Sequence, residues 1–191
     1  TKYAFGSDIS GITDPDKEGY TFAGWYESET FDGEEYVLGT MPASNVTLYA
    51  KWEINSYDIT FVLNNGEDNK VVSYDFGANT SEITRPEKLG YTFGGWYDNE
   101  ACTGNPYVFG TMPAKNVTLY AKWTVNSYTI TFVKNNGESN TSVPYNFGAT
   151  TSALDSVNKE GYTFAGWYDN EACTGNPYIF GTMPAKNVTL Y

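Results

Sequence analysis

The stretch GYTFGGWY at Gly90–Tyr97 decides the fold of this chain, because nearly the same eight residues occur three times. GYTFAGWY occupies Gly19–Tyr26 and returns at Gly161–Tyr168, so the three copies begin at equal spacing along the chain. A second motif, NVTLYAKW, follows at Asn45–Trp52 and again at Asn116–Trp123. Self-similarity at a fixed period predicts a tandem array of one small structural unit.

The period divides the 191 residues into three modules. We expect module 1 at residues 1–53, module 2 at residues 54–124 and module 3 at residues 125–191. In this register module 1 lacks its first strand, module 2 is complete, and module 3 lacks the end of its last strand. Units of about 70 residues lie near the lower limit for independent stability, so contact between neighbours is expected to help.

A hairpin is predicted at the start of each module. In module 2, Tyr57–Leu63 alternates apolar and polar residues as a half-buried strand does. Asn64–Gly66 supplies residue types that accept positive φ in a tight turn, and Val71–Phe76 returns as the second strand. An alternative register would start each unit at Lys2–Gly6 and take Tyr57–Leu63 as the last strand. The turn favours the first register, because it joins Tyr57–Leu63 to the strand that follows.

The remainder of module 2 predicts one short helix and three further strands. We place the helix within residues 77–90, where candidate N-cap residues precede Ile83 and a glycine ends the segment, although Pro86 would stop the helix early. A bulge or a close approach of another backbone is expected where Gly94 and Gly95 adjoin in the GYTFGGWY strand. The fold class is therefore α+β and β-rich. The three strands are expected at Tyr91–Tyr97, Tyr107–Phe109 and Val117–Trp123.

Composition indicates a folded chain and argues against several classes of function. Aromatic residues make up 17% of the chain and charged residues 18%, which provides enough large apolar side chains for a core. With a net charge of −12 and no histidine, the surface would repel nucleic acid and anionic lipid. No run of roughly 18 apolar residues predicts a membrane-spanning helix, so we expect no membrane insertion.

Residue types that carry catalysis are scarce. Without histidine, Ser–His and Cys–His nucleophilic pairs are excluded, so we predict no catalytic residue, no cofactor and no enzyme activity. Cys102 and Cys173 occupy the same place in successive copies of the repeat, where module 1 has Phe31. Because the equivalent residue of module 1 is phenylalanine, we expect these cysteines to be semi-buried apolar side chains and not reactive thiols.

Paired acids recur in one polar loop. Asp98 and Glu100 of module 2 correspond to Asp169 and Glu171 of module 3. Calcium requires several closely spaced oxygen ligands in a defined geometry. We therefore predict no metal site, and a solvated loop is favoured over a calcium site at both places.

Aromatic residues supply the candidates for partner binding. The tryptophan of the GYTFAGWY motif is expected to fill the inner face of the sheet in every module. Tyr49, Tyr120 and Tyr191 fall on the outer face of the last strand. Exposed tyrosines on a sheet can anchor a partner, but they also favour strand pairing.

The combined motifs resemble the Listeria–Bacteroides repeat, also called the internalin B-repeat. The likeness rests on the NNG turn at Asn64–Gly66, on the GYTFAGWY motif and on TMPAKNVTLYAKW at Thr111–Trp123, and it covers essentially the whole chain. It implies a small ubiquitin-like β-grasp module with a mixed four- to five-stranded sheet and one short helix. It also implies a secreted or wall-attached bacterial protein, in which such modules usually lie between a recognition domain and an anchor.

Two functions agree with these observations. The first is an extracellular spacer or stalk of an adhesin-like surface protein, a monomeric semi-rigid rod within a longer chain that projects a terminal domain. Near-identical copies, an acidic surface and a connection of only residues 124–127 favour it. The alternative is a binding array, in which each copy holds a weak site for a host surface protein or glycan and repetition supplies avidity.

Overall fold

The computed structural model describes residues 1–155 and 157–191, and within them the chain forms nine strands and no helix. The β-rich class predicted from the sequence is confirmed. Nothing helical in this described part could serve as a membrane span. The strands are β1 Tyr20–Tyr26, β2 Tyr49–Ile54, β3 Ser56–Val62, β4 Lys70–Asp75, β5 Tyr91–Tyr97, β6 Val117–Val125, β7 Ser127–Phe132, β8 Thr141–Asn146 and β9 Val188–Leu190.

The strands form three sheets, with the orders β1-β2, β4-β3-β6-β5 and β8-β7-β9. In the second sheet β3 is paired antiparallel to β4, with Ile59 opposite Val72, and parallel to β6, with Ile59 opposite Val117. β7 repeats both pairings with β8 and β9. The first strand of a module therefore lies between its hairpin partner and the last strand of the same module.

Alternation along this central strand places its apolar side chains in the core. Ile59 and Phe61 of β3 are fully buried, and so is Leu119 of the parallel strand β6. Module 3 has the same arrangement, with a buried cluster of Ile130, Phe132, Trp167, Met183 and Leu190. Side chains two residues apart share a face of a strand, which is why the predicted period of two yields a continuous core.

The loop after β3 contains the predicted positive-φ residues, but it is longer than a tight turn. Asn64 has φ of 50° and Gly66 has φ of 97°, while β3 and β4 are joined by residues 63–69. The loop is anchored by Lys88, whose Nζ donates to the carbonyl of Asn64 at 2.6 Å. A second bond runs from Nδ2 of Asn65 to the carbonyl of Glu87 at 3.0 Å. The additional residues let the loop reach this distant segment.

The prediction of one short helix in each module is wrong, since the described residues contain no helix. In module 2 the backbone of this segment pairs with residues 110–112 instead, because Gly77 N–H donates to Met112 and Thr80 N–H donates to Gly110, at 2.9 and 2.7 Å. The Thr80 hydroxyl also donates to Gly110, at 2.9 Å. Asn79 also forms an isolated antiparallel bridge with Thr111. Only residues 81–85 then remain before Pro86, which disfavours the helical conformation of the residue before it, and so short a segment cannot offset the cost of starting a helix. Ser156, in the same segment of module 3, lies outside the described residues.

The strand expected at Tyr107–Phe109 does not form either. At the corresponding positions of the other modules, Tyr36 and Tyr178 each donate one backbone bond, to Trp25 and Trp167. A single bond does not extend into a ladder. The alternation that suggested a strand still places Phe109 inward, where its ring stacks on Phe61 at a centroid distance of 6.2 Å.

A bulge lies in β1, the copy in module 1 of the strand in which Gly94 and Gly95 adjoin. The register against β2 shifts between Phe22 and Trp25, and Gly24 between them has φ of 105°. Glycine adopts this backbone conformation without the steric penalty that a Cβ would bring.

Contacts divide the described chain into two compact units. One contains Thr1–Leu63, Asp68–Ile83 and Tyr97–Tyr120, and the other contains Asn64–Glu67, Thr84–Trp96 and Ala121–Tyr191. Each unit therefore combines residues from consecutive sequence repeats. The module boundaries at residues 53–54 and 124–125 remain a prediction.

Removing one buried side chain should test the core. We expect Leu119→Ala to lower the free energy of unfolding by about 2–5 kcal/mol, because the truncation leaves a cavity between packed strands. Val108→Ala changes a side chain that is 84% exposed and should stay within about 0.5 kcal/mol of the parent. Urea unfolding followed by tryptophan fluorescence measures both, and equal effects would contradict this description of the core.

Candidate functional site

Modules 1 and 2 each carry an aromatic cluster formed by the GYTF strand and the last strand. In module 1, Phe22 contacts Trp25 and Trp52 edge to face, at centroid distances of 5.3 and 5.6 Å. In module 2, Phe93 makes the corresponding contacts at the same two distances, to Trp96 and Trp123. Edge-to-face packing is the preferred geometry of aromatic rings, so the same cluster forms wherever both strands are present.

The motif tryptophans belong mainly to the core, as predicted. Trp96 and Trp167 are buried, while Trp25 is half-buried. In module 3 the pair of Phe164 and Trp167 keeps the 5.3 Å spacing. Because these rings are largely buried in the core, they present little surface to a binding partner.

A lysine lies over the tyrosine of the GYTF motif in every module, and we call this residue the lysine cap. In module 1, Lys17 Nζ lies 3.9 Å from the ring centre of Tyr20 and 5.6 Å from that of Trp52. Lys88 of module 2 takes the same place over Tyr91 and Trp123, at 4.8 and 5.8 Å. Ammonium groups at such distances are attracted by the π-face of the ring. The aromatic surface is therefore partly occupied by the chain's own cations.

Module 3 has the same feature, with Lys159 Nζ 4.6 Å from the ring centre of Tyr162. The lysine cap was missed by the sequence reasoning. The sequence did contain an indication of it, because a lysine stands two residues before the glycine of the Gly-Tyr pair in every copy of the repeat.

Open grooves lie beside the clusters of modules 2 and 3. The module 2 groove has a volume of about 400 Å³. The module 3 groove has a volume of about 260 Å³. Both present a lysine, a tyrosine and a phenylalanine at corresponding positions, which combines an aromatic face with a positive charge. The lining residues include Arg85, Lys88, Tyr91, Phe93 and Trp123 in module 2, and Lys159, Tyr162, Phe164, Trp167 and Tyr191 in module 3.

The three tyrosines predicted as partner-binding residues occupy similar positions. Tyr49, Tyr120 and Tyr191 are all half-buried. Tyr49 lies opposite Tyr26 in the β1-β2 ladder, and Tyr191 forms two backbone bonds with Tyr168, both 2.9 Å. Tyr191 lines the module 3 groove, whereas the module 2 groove is lined without Tyr120. Their role in binding remains a prediction.

The acidic loops are organised by an asparagine rather than by their acids. Asn99 Oδ1 accepts the amide of Thr103 at 3.1 Å, and its Nδ2 donates to the Thr103 carbonyl at 3.0 Å. Asn170 makes the same two bonds in module 3. Asp98, Glu100, Asp169 and Glu171 are all exposed. Nowhere in residues 1–155 and 157–191 do three or more acidic or cysteine side chains gather as metal ligands would.

The cysteines lie in these loops at a strained backbone position. Cys102 has φ of 48° and Cys173 has φ of 49°, and Phe31 of module 1 has φ of 58°. Cys102 is half-buried, with its Sγ 3.9 Å from the carbonyl oxygen of Tyr120, whereas Cys173 is exposed. The semi-buried environment expected for this position therefore applies to Cys102 and not to Cys173.

Two exposed carboxyl groups have a lowered pKa. Hydrogen bonds from Ser10, chiefly from its side chain, hold the pKa of Asp8 below its ordinary value. The hydrogen bond from Lys134, 3.1 Å away, does the same for the pKa of Glu138. A lowered pKa keeps a carboxylate charged, which suits a solvated surface rather than general acid catalysis at neutral pH.

Comparison with known proteins identifies the repeat. The family model of the Listeria-Bacteroides repeat domain matches residues 1–51, 57–122 and 128–191. The chain is 38% identical over 190 residues, 98% of its length, to a protein of Evansella cellulosilytica named "Putative membrane protein". It is 43% identical over 122 residues, 62% of its length, to internalin H of Listeria monocytogenes.

These alignments cover 28% of the Evansella protein and 22% of internalin H. The chain thus spans about a quarter of the length of these relatives. The family match recurs once in each period and includes nearly all of the chain. The resemblance seen in the sequence is therefore confirmed, and this protein belongs to the Listeria-Bacteroides repeat domain family.

Proposed function

We propose that the chain is a structural spacer in a bacterial surface protein, where it projects a terminal domain away from the cell. The observation that carries the proposal is the lysine cap. Lys17, Lys88 and Lys159 lie over the tyrosine of the GYTF motif in their own modules. An aromatic face already covered by the chain's own cation is less available to a partner. The net charge of −12 keeps such a surface solvated.

The relatives support a location at the cell surface or outside the cell. One is named as an internalin and another as a membrane protein. We infer the same setting for this chain, with the modules as part of a longer adhesin-like polypeptide. We also infer a non-catalytic role, because the paired acids of the polar loops are exposed and the loops are closed by Asn99 and Asn170.

We propose a β-grasp arrangement for each module, without the usual helix. The order β4-β3-β6-β5 supports it, since the hairpin partner, the first strand, the last strand and the third strand follow one another across the sheet. The parallel pairing of the first strand with the last is the second support. In place of a helix, the irregular segment at residues 77–90 connects the hairpin to the third strand.

A binding array is the second candidate, and the two grooves favour it. An aromatic face beside a lysine suits an acidic sugar, because the ring packs on the sugar and the ammonium attracts its carboxylate. Repeated weak sites of this kind would gain avidity from their number. A host protein with exposed acids would use the same chemistry.

Retention on host surfaces should separate the two candidates. For a spacer, we expect the parent chain and the variant Tyr49→Ala, Tyr120→Ala, Tyr191→Ala to show equal and negligible retention on host cells and on glycan arrays. Circular dichroism of the variant provides the folding control. Retention of the parent that is lost in this variant, or in Lys88→Ala with Lys159→Ala, would favour the binding array.

Small-angle scattering should test the extended form that a spacer needs. A compact chain of this length would have a radius of gyration of about 16 Å. We expect a clearly larger value for the monomer, independent of protein concentration. A radius close to that of a compact chain would count against the spacer.

A further inference from the structure

Consecutive modules meet at a glycine and a phenylalanine that both recur with the repeat period. Gly19 is buried, and a Cβ built on it would overlap the ring of Phe76 in module 2. Gly90 is buried in the same way, and a Cβ there would overlap the ring of Phe147 in module 3. The two glycines have φ of 76° and 78°. Glycine therefore meets two requirements here, positive φ and direct contact between a ring and the backbone.

The tyrosine after each glycine packs against the same ring. Tyr20 and Phe76 meet edge to face, with centroids 5.9 Å apart and an angle of 77° between the rings. Tyr91 and Phe147 repeat this geometry at 6.0 Å and 79°. In module 1 the tyrosine ring also lies under Lys17 of its own module. The tyrosine thus links the lysine cap of one module to the phenylalanine of the next.

One asparagine ties the backbones on both sides of each meeting point. Asn55 N–H donates to the carbonyl of Gly19 at 2.9 Å, and the Asn55 carbonyl accepts from Phe76 N–H at 2.8 Å. Its side-chain Oδ1 accepts from the Thr21 hydroxyl at 2.6 Å. Asn126 forms the same three bonds to the corresponding residues, at 2.9, 2.8 and 2.6 Å. The same three hydrogen bonds at both places indicate that this contact is a regular feature of the repeat.

The same surfaces are uncovered where the described chain has no adjoining module against them. Phe5 corresponds to Phe76 and is 76% exposed. Tyr162 corresponds to Tyr20 and is 73% exposed. Gly161 has φ of 77°, and no atom of the described residues lies within 4 Å of a Cβ built on it. At the two joints, by contrast, Gly19 and Gly90 are buried and the rings of Phe76, Phe147, Tyr20 and Tyr91 are half-buried.

We propose that the Gly-Tyr pair of one module and the phenylalanine of the next form a docking surface, the module joint, which fixes the orientation of consecutive modules. The Gly161–Tyr162 face accordingly fits the phenylalanine of a further copy of this repeat. The inference rests on the proposed spacer role and deepens it, because a spacer with ordered joints would fix the orientation of a terminal domain as well as its distance from the cell.

Pulsed electron spin resonance can measure each joint separately. In a Cys102→Ser, Cys173→Ser background, spin labels at Val37→Cys and Val108→Cys span the first joint. Labels at Val108→Cys and Ile179→Cys span the second. These positions correspond to one another and are 84–88% exposed, so labels should not disturb packing. We expect one narrow distance distribution for each pair.

The phenylalanine variants give a crossed set of controls. Phe147→Ala should lose the narrow distribution across the second joint and keep it across the first, whereas Phe76→Ala should do the reverse. Phe5→Ala removes the corresponding ring where it is largely exposed, so both distributions should stay narrow.

A glycine pair covers the case in which a phenylalanine variant does not fold. Gly90→Ala and Gly161→Ala carry the same backbone strain, since both glycines have φ near 77°, but only Gly90→Ala meets a ring. Gly90→Ala should therefore broaden the second distribution and lower the melting temperature further than Gly161→Ala.

Two outcomes would overturn the module joint. One is a distribution in Phe147→Ala as narrow as in the parent, and the other is equal broadening in Phe5→Ala. Neither would refute the spacer, because loosely linked modules still separate the domains at their ends. Specific retention on host cells, by contrast, would refute the spacer and leave the joint standing.

Discussion

Burial of the central strand's apolar side chains is the interaction on which modules 2 and 3 depend. Ile59 and Phe61 are fully buried because β3 has a hairpin partner on one side and the last strand on the other. That second neighbour comes from the far end of the module, so the parallel pairing closes the unit. In module 2 the last strand also lies beside the GYTF strand, where Phe93 meets Trp123.

Much of the fold could be predicted from local patterns, and the errors have physical causes. The hairpin strands, the GYTF strand and the last strand follow from alternation, and Asn64 has the positive φ that its turn sequence implied. The helix predicted in module 2 does not form because the chain at Asn79 pairs with Thr111, far along the sequence, which leaves only a few residues before Pro86. No local pattern reveals such a partner. The strand predicted at Tyr107–Phe109 is missing for a related reason. Alternation of apolar and polar residues predicts which side chains face the core, but it does not show whether the backbone pairs with another strand.

The candidate site was less predictable, because it depends on which residues of different strands meet. Tyr49, Tyr120 and Tyr191 were predicted from the face of the strand on which they lie. That face gives the direction of each side chain but not the residues that surround it. The lysine cap joins a loop residue to rings from two strands. The module joint joins residues of two repeats, through Gly19, Phe76 and Asn55. Recurrence with the repeat period marked all of these positions without indicating that they touch.

The parallel pair of β3 and β6 has a mechanical consequence. β3 opens module 2 and β6 closes it, and the two lie side by side in the same direction. Tension on the chain would pull one strand backward and the other forward, so their backbone bonds would be loaded in shear together instead of opening one after another. Resistance to force depends on the unfolding rate rather than on equilibrium stability. A tether exposed to flowing liquid would gain its strength from this pair of strands.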